Sequence, residues 1–107
     1  MDKTLKKLSE IIAEANDVFD AHHKSIDTIL GIIDQALRKQ GINADAVTVD
    51  CIRLNKKIVF LMHDEKPNIV DIALGNKDGD IHSSSAHELN TLSVGVIVAL
   101  METNFLH

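Results

Sequence analysis

The sequence is poor in aromatic residues, cysteine and proline. Its 107 residues include no Trp or Tyr, three Phe, one Cys and one Pro. Few aromatic rings are therefore available to stack nucleobases, and a lone cysteine cannot form an intramolecular disulfide. Cys51 lies in a strand-like run and is interpreted as a small buried hydrophobe. A fold without disulfides suits a reducing compartment, so we expect a cytoplasmic protein.

Long apolar segments and an excess of positive charge are also missing. The uncharged stretch Leu89–Met101 is shorter than the roughly 18 to 20 apolar residues that cross a bilayer. The N-terminal segment MDKTLKKLSE has no apolar run behind its lysines, so we predict no signal peptide. Sixteen acidic residues against eleven basic ones give a formal charge of −5, and the bases are scattered. Neither nucleic acid nor a membrane is an expected partner.

The composition that remains is that of an ordinary globular protein, with 45% hydrophobic and 25% charged residues. No repeat, low-complexity segment or linker divides the chain, which predicts a single domain over residues 1–107. The apolar spacing predicts an α+β fold. It consists of a long N-terminal helix, a three- to four-stranded antiparallel sheet and a C-terminal helix (α-β-β-β-α).

The N-terminal third carries an apolar repeat with alternating steps of three and four. Its positions are Leu5, Leu8, Ile12, Ala15, Phe19, His22, Ile26, Ile29, Ile33 and Ala36. This spacing predicts a helix over Thr4–Gln40 ended by Gly41, and the seven-residue period is typical of a supercoil between helices. The alternative is a break near residues 17–25, after which the chain folds back as a helical hairpin.

A continuous helix of that length measures roughly 50 Å, whereas a six-residue strand spans only about 20 Å. The first half of the helix would therefore extend beyond its own sheet and need a second chain to cover it. The residues predicted at this interface are Leu5, Leu8, Ile12, Ala15, Phe19 and His22. The sequence thus predicts a homodimer, or a complex with another protein.

Strands are predicted after the helix from apolar runs separated by turns. These strands are Val47–Leu54, Ile58–Met62, Ile69–Leu74 and a short edge strand at Ile81–Ser83. Ile58–Met62 is apolar on both of its faces, which is typical of a central strand covered on both sides. The segment Asn76–Asp80 is predicted to be a hairpin turn and not a calcium loop, because the glutamate that an EF-hand needs at position twelve is missing.

The C-terminal helix is predicted to begin at Ser85. Ser85 followed by Glu88 matches a capping box, in which the hydroxyl and the carboxylate satisfy backbone N–H groups of the first turn. The following residues are apolar to about Thr103. A helix with so few polar residues should be buried on both sides or covered by another subunit.

One polar cluster has the residue types of a metal site. Asp20, His23 and Asp27 occupy positions i, i+3 and i+7 of the predicted helix, and a histidine with two carboxylates can hold a divalent cation. Asn16 and Asp34 continue the same polar stripe, so a solvated helix face explains the pattern equally well. The three residues are weak candidates, and no metal is predicted.

Catalytic signatures are missing as well. The sequence has no P-loop, G-x-G-x-x-G, H-E-x-x-H or paired-cysteine motif. His82–Glu88 places serines and histidines close together, but hydrolases set their serine on a strained elbow that is not found here. An enzyme is less expected than a non-catalytic protein, and no cofactor is predicted.

Two functional hypotheses follow. The first is a non-catalytic protein-interaction module, adaptor or chaperone-like, that self-associates through its N-terminal helix. Its small acidic helix-sheet-helix plan is similar in outline to secretion chaperones and roadblock-type adaptors, with which it shares no motif. The alternative is a small metal-dependent or ligand-binding domain that uses Asp20, His23 and Asp27.

Overall fold

The computed structural model describes residues 3–106 and has an α+β fold, as predicted. Its elements are α1 (Lys3–His22), β1 (Ile29–Ile33), α2 (Ala36–Lys39), β2 (Ala44–Cys51), β3 (Lys56–His63), β4 (Ile69–Gly75), β5 (Ile81–Glu88), a 3-10 turn (Leu89–Thr91) and α3 (Val94–Phe105). The strands form one antiparallel sheet in the order β1-β2-β3-β4-β5. The sheet therefore has five strands and not the three to four that were predicted.

The N-terminal helix is confirmed, but its predicted length was the main error: the chain breaks within residues 17–25, as in the alternative, and continues as a strand and not as a second long helix. Helix α1 ends at His22, and the amide of Ile26 donates to the carbonyl of His23 (3.1 Å) in the turn that follows. The predicted second half contains β1, which pairs with β2 along its whole length. Its sequence, ILGII, has three β-branched isoleucines in five residues, which favours a strand over a helix. The apolar spacing of three and four residues continues through β1, so it did not indicate the change from helix to strand.

The start of the C-terminal helix was also predicted wrongly. Ser85 and Glu88 belong to β5, where they lie opposite Ile72 and Ile69 of β4. Helix α3 begins instead at Val94, after Ser93, whose hydroxyl accepts a hydrogen bond from the amide of Val96 (3.2 Å). The capping-box pattern at Ser85 has no helix to cap, because pairing with β4 satisfies the backbone there.

The tight turn over Asn76–Asp80 is confirmed as a hairpin between β4 and β5. The side-chain oxygen of Asn76 accepts hydrogen bonds from the amides of Asp78 (2.9 Å) and Asp80 (3.2 Å). Gly79 adopts φ +91°, a left-handed conformation that glycine accepts without strain. The side-chain oxygen of Asn76 is therefore engaged in hydrogen bonds within the turn.

Both long helices cover the same face of the sheet. Helix α1 contributes Leu8, Ile12 and Phe19 to the core, and α3 contributes Ile97 and Met101. They pack on alternate residues of the central strands, namely Val47, Val49, Cys51, Ile58, Phe60 and Met62. Among residues 3–106, no helix is long and apolar enough to cross a membrane.

Candidate functional site: the helix-free face and the β1 edge

The residues predicted at a helix interface lie in the chain's own core. Leu5, Leu8, Ile12, Ala15 and Phe19 are each at most 1% exposed. The ring of Phe19 packs edge-on against that of Phe105 of α3, with centroids 5.9 Å apart. Only His22 of the predicted set is exposed. The apolar repeat of α1 is therefore buried by the sheet and α3, and it leaves little surface for a second chain.

The three metal candidates are not brought together. Because α1 ends at His22, Asp27 no longer follows the helical spacing that would align it with Asp20 and His23. The Nε2 atom of His23 lies 2.8 Å from a carboxylate oxygen of Glu102 in α3. Asp20 and Asp27 line an open groove of about 430 Å³ that does not include His23. Within residues 3–106, no group of three His, Cys, Asp or Glu side chains is arranged to hold a metal ion.

The opposite side of the sheet carries no helix, and we call it the helix-free face. Directly opposed residues of an antiparallel sheet point to the same side, so the strand register defines the members of this face. From β2, β3 and β4 they are Ala44, Ala46, Thr48, Asp50, Lys57, Val59, Leu61, His63, Ile69, Asp71, Ala73 and Gly75. Val59 and Leu61 of the central strand are half-buried there.

Charges lie at the ends of this face and apolar groups at its centre. At one end the Lys57 ammonium lies 3.7 Å from a carboxylate oxygen of Asp50. At the other, Nε2 of His63 lies 3.8 Å from a carboxylate oxygen of Asp71. Each acidic group thus faces a basic group on the neighbouring strand. The centre of the face, around Val59, offers no charge to a ligand.

A shallow depression marks one end of the helix-free face. It has a volume of about 140 Å³ and is lined in part by Val59, Ala73, Gly75 and Ile81. Ile81, at the start of β5, is 65% exposed. Lys57, Lys77 and Asp80 also line the depression, so it combines apolar and charged walls and favours no single class of ligand.

The β1 edge adjoins the helix-free face. Ile29 lies on the helix-free side and is 54% exposed, whereas Ile32 lies on the helix side and is 45% exposed. β1 is the first strand of the sheet order, and within residues 3–106 no strand pairs with its outer side. Its unpaired backbone groups and two isoleucine side chains are therefore available together.

An ion-pair network at one end of β2 was missed by the sequence analysis. Arg38 of α2 donates to both carboxylate oxygens of Asp45 (3.1 and 3.0 Å) and to both of Asp64 (2.8 Å each). These bonds raise the pKa of Arg38 and lower that of Asp64 below its usual value. The three residues have no periodic spacing, so only the folded chain reveals them. Since Arg38 is fully engaged, the network holds α2 on the sheet and leaves no cation to bind a ligand.

The serine and histidine of the His82–Glu88 segment do meet. The hydroxyl of Ser85 and Nε2 of His87 are 2.7 Å apart. Both lie on the edge strand β5, where Ser85 is exposed, and His87 takes part in none of the ion pairs found among residues 3–106. A serine without an enclosing cleft or an oriented base lacks the geometry of a hydrolase nucleophile.

Comparison with known proteins gave no match: no family model fits the chain, and neither a curated protein nor a solved structure is significantly similar to it.

Proposed function

We propose that this chain is a non-catalytic protein-interaction module that self-associates, and that it does so through the sheet and not through the N-terminal helix. One observation carries the proposal: both long helices pack on one side of the sheet, so the other side and the β1 edge keep apolar side chains in contact with solvent. This replaces the helical interface expected from the sequence.

The pattern of the central strand supports a contact on the sheet side. A sheet with one solvated face normally alternates apolar residues towards the core with polar residues towards water. In β3, Phe60 faces the helices, yet its neighbours Val59 and Leu61 are also apolar and lie on the helix-free face. Apolar side chains at positions where a solvated face would carry polar ones support a protein contact at Val59 and Leu61.

The same features favour a protein partner over a small ion. On the helix-free face Asp50 lies beside Lys57 and Asp71 lies beside His63, so these two carboxylates have separate partners and do not converge on one ion. The unpaired, buried thiol of Cys51 suits a reducing compartment, and we include a cytoplasmic location in the proposal. No geometric feature favours the alternative based on Asp20, His23 and Asp27. Stoichiometric metal in untagged protein would reverse that preference.

Sedimentation equilibrium over a wide range of chain concentrations tests the proposal. The wild-type chain is expected to reach twice the mass of a single chain. The double variant Ile29→Lys/Leu61→Lys should remain monomeric, because one lysine charges the β1 edge and the other charges the helix-free face, so a contact at either place is disrupted. Val96→Lys is the matched control, because Val96 lies on α3 and is 47% exposed. Circular dichroism and thermal melting establish that each variant is folded.

Two results would contradict the proposal. The first is a wild-type chain that stays monomeric up to near-millimolar concentration. The second is a dimer that dissociates with Val96→Lys and persists with the sheet-side double variant, since the contact would then lie on the helices.

A further inference from the structure

The two edges of the sheet differ in how they are protected from pairing. Natural edge strands usually carry charges, proline or a bulge that prevents contact with another strand. β5 has a register irregularity between Leu74 and Gly75 of β4, and its sequence, IHSSSAHE, is mostly polar. β1, with the sequence ILGII, contains no charge and no proline, and its pairing with β2 is regular. The β1 edge thus lacks these protections.

The apolar pattern of β1, ILGII, is symmetric about Gly31, because all the remaining residues of the strand are apolar. Two antiparallel copies of one strand related by a two-fold axis must place some residue opposite its own copy. If that residue is Gly31, Ile29 lies opposite Ile33 of the second copy and Leu30 lies opposite Ile32. Every apolar side chain of β1 then faces another apolar side chain.

The neighbouring registers are poorer. Centring on Leu30 places Thr28 opposite Ile32 and Asp27 opposite Ile33. Centring on Ile32 places Leu30 opposite Asp34. Each shift sets polar or charged groups against isoleucine or leucine, which gives up apolar contact and desolvates a charge. Among the symmetric registers near the middle of β1, only the one centred on Gly31 avoids this.

We propose that the self-association partner is a second copy of this chain, paired β1 to β1 in antiparallel orientation about Gly31. This inference rests on the proposed self-association and adds its location. The two five-stranded sheets become one sheet of ten strands, with the helices of both copies on the same side. Ile29 and Ile32, which are half-exposed in one chain, become cross-strand neighbours of Ile33 and Leu30 of the other.

The flanking residues are compatible with this arrangement. In the same register Asp34 lies opposite Thr28 of the second copy, and Gln35 lies opposite Asp27. The Gln35 amide can donate to the carboxylate of Asp27 that it faces, whereas the Thr28 hydroxyl already donates to Asn16 of its own chain and is only an uncharged neighbour of Asp34. No two acidic groups are directly opposed, so the paired strands can continue past the ends of β1 without repulsion.

Cysteine cross-linking tests the register. Ile29→Cys chains and Ile33→Cys chains are purified separately, mixed and oxidised with oxidised glutathione. Directly opposed residues have Cα atoms about 4.5 to 5.5 Å apart, within the range of a disulfide. In a dimer of one variant alone, the two introduced cysteines are offset by four residues along the strand, about 13 Å, which a disulfide cannot span. A disulfide-linked heterodimer is therefore expected only in the mixture, and wild-type chains, whose Cys51 is buried, should give none.

Charge substitutions test the location independently. Ile29→Lys should weaken the dimer at least tenfold, whereas Ile81→Lys on the other edge and Leu61→Lys on the helix-free face should leave it unchanged. Cross-linking of either single variant as readily as the mixture would overturn the inference. The inference would also be overturned if Leu61→Lys dissociated the dimer and Ile29→Lys did not. In that case self-association itself would stand. A wild-type monomer at every concentration would overturn both proposals.

Discussion

Truncation of Ile12 to alanine separates the two roles that the apolar repeat of α1 can have. Ile12 is fully buried, at 0% exposure, in the core between the sheet and α3. Ile12→Ala removes three carbon atoms, worth about 2.4 kcal/mol of lost burial, and leaves a cavity. Together these effects should lower the free energy of unfolding by about 2 to 5 kcal/mol.

Urea unfolding followed by circular dichroism measures this loss. The experiment is performed at a chain concentration at which sedimentation shows only monomer, so that association contributes nothing. With a urea dependence of about 2 kcal/mol per molar, the unfolding midpoint should fall by about 1 to 2.5 M. Ile81→Ala, at a side chain that is 65% exposed, is the control and should change stability by about 0.5 kcal/mol or less. If Ile12→Ala leaves the stability of the monomer unchanged and weakens only the dimer, the core assignment of α1 is refuted.

Three further predictions follow. His22→Leu should leave the dissociation constant unchanged in sedimentation, because His22 is exposed on α1; tighter association would return the interface to the helix. Gly75→Ala should lower the melting temperature, because the added Cβ would lie 2.2 Å from the carbonyl oxygen of Asp80. Gly95→Ala in α3 should raise the melting temperature, because alanine favours a helix more than glycine does. Equal shifts of the two melting temperatures would contradict this prediction. Hydrogen bonds from Arg38 hold the pKa of Asp64 below its usual 3.8, so the stability that they provide should be present above that value and lost as the pH falls below it. The urea midpoints of wild type and Asp64→Asn should therefore converge on acidification, and a difference that is constant with pH would count against the pair.

Local sequence patterns correctly predicted several of the secondary-structure elements. The three central strands, the Asn76–Asp80 turn and the existence of α1 and α3 follow from apolar alternation, turn residues and helical spacing. The spacing of α1 also selected the correct buried side chains, Leu8 and Ile12 among them, although it assigned them to a partner chain. Periodicity reveals which face of a helix is apolar but does not reveal what covers it.

The wrong predictions concern segments whose structure depends on contacts with residues distant in the sequence. Ile29–Ile33 continues the helical spacing, but it forms a strand because β2 is available to pair with it. Ser85 matches a cap, but it lies in β5 opposite Ile72. The helix-free face exists because both helices pack on the same side of the sheet. No local sequence pattern specifies that side. The network around Arg38 depends equally on tertiary structure.

The unequal protection of the two sheet edges determines how large an assembly can become. A sheet with two unprotected edges can add copies at both ends and grow into a fibre. Here the bulged, polar strand β5 ends the sheet on one side. A two-fold pairing at β1 would occupy the other side in both copies, so the assembly would close at two chains. In the proposed dimer the polar composition of β5 would therefore limit aggregation, and its replacement by an apolar strand should convert a closed dimer into an open-ended polymer.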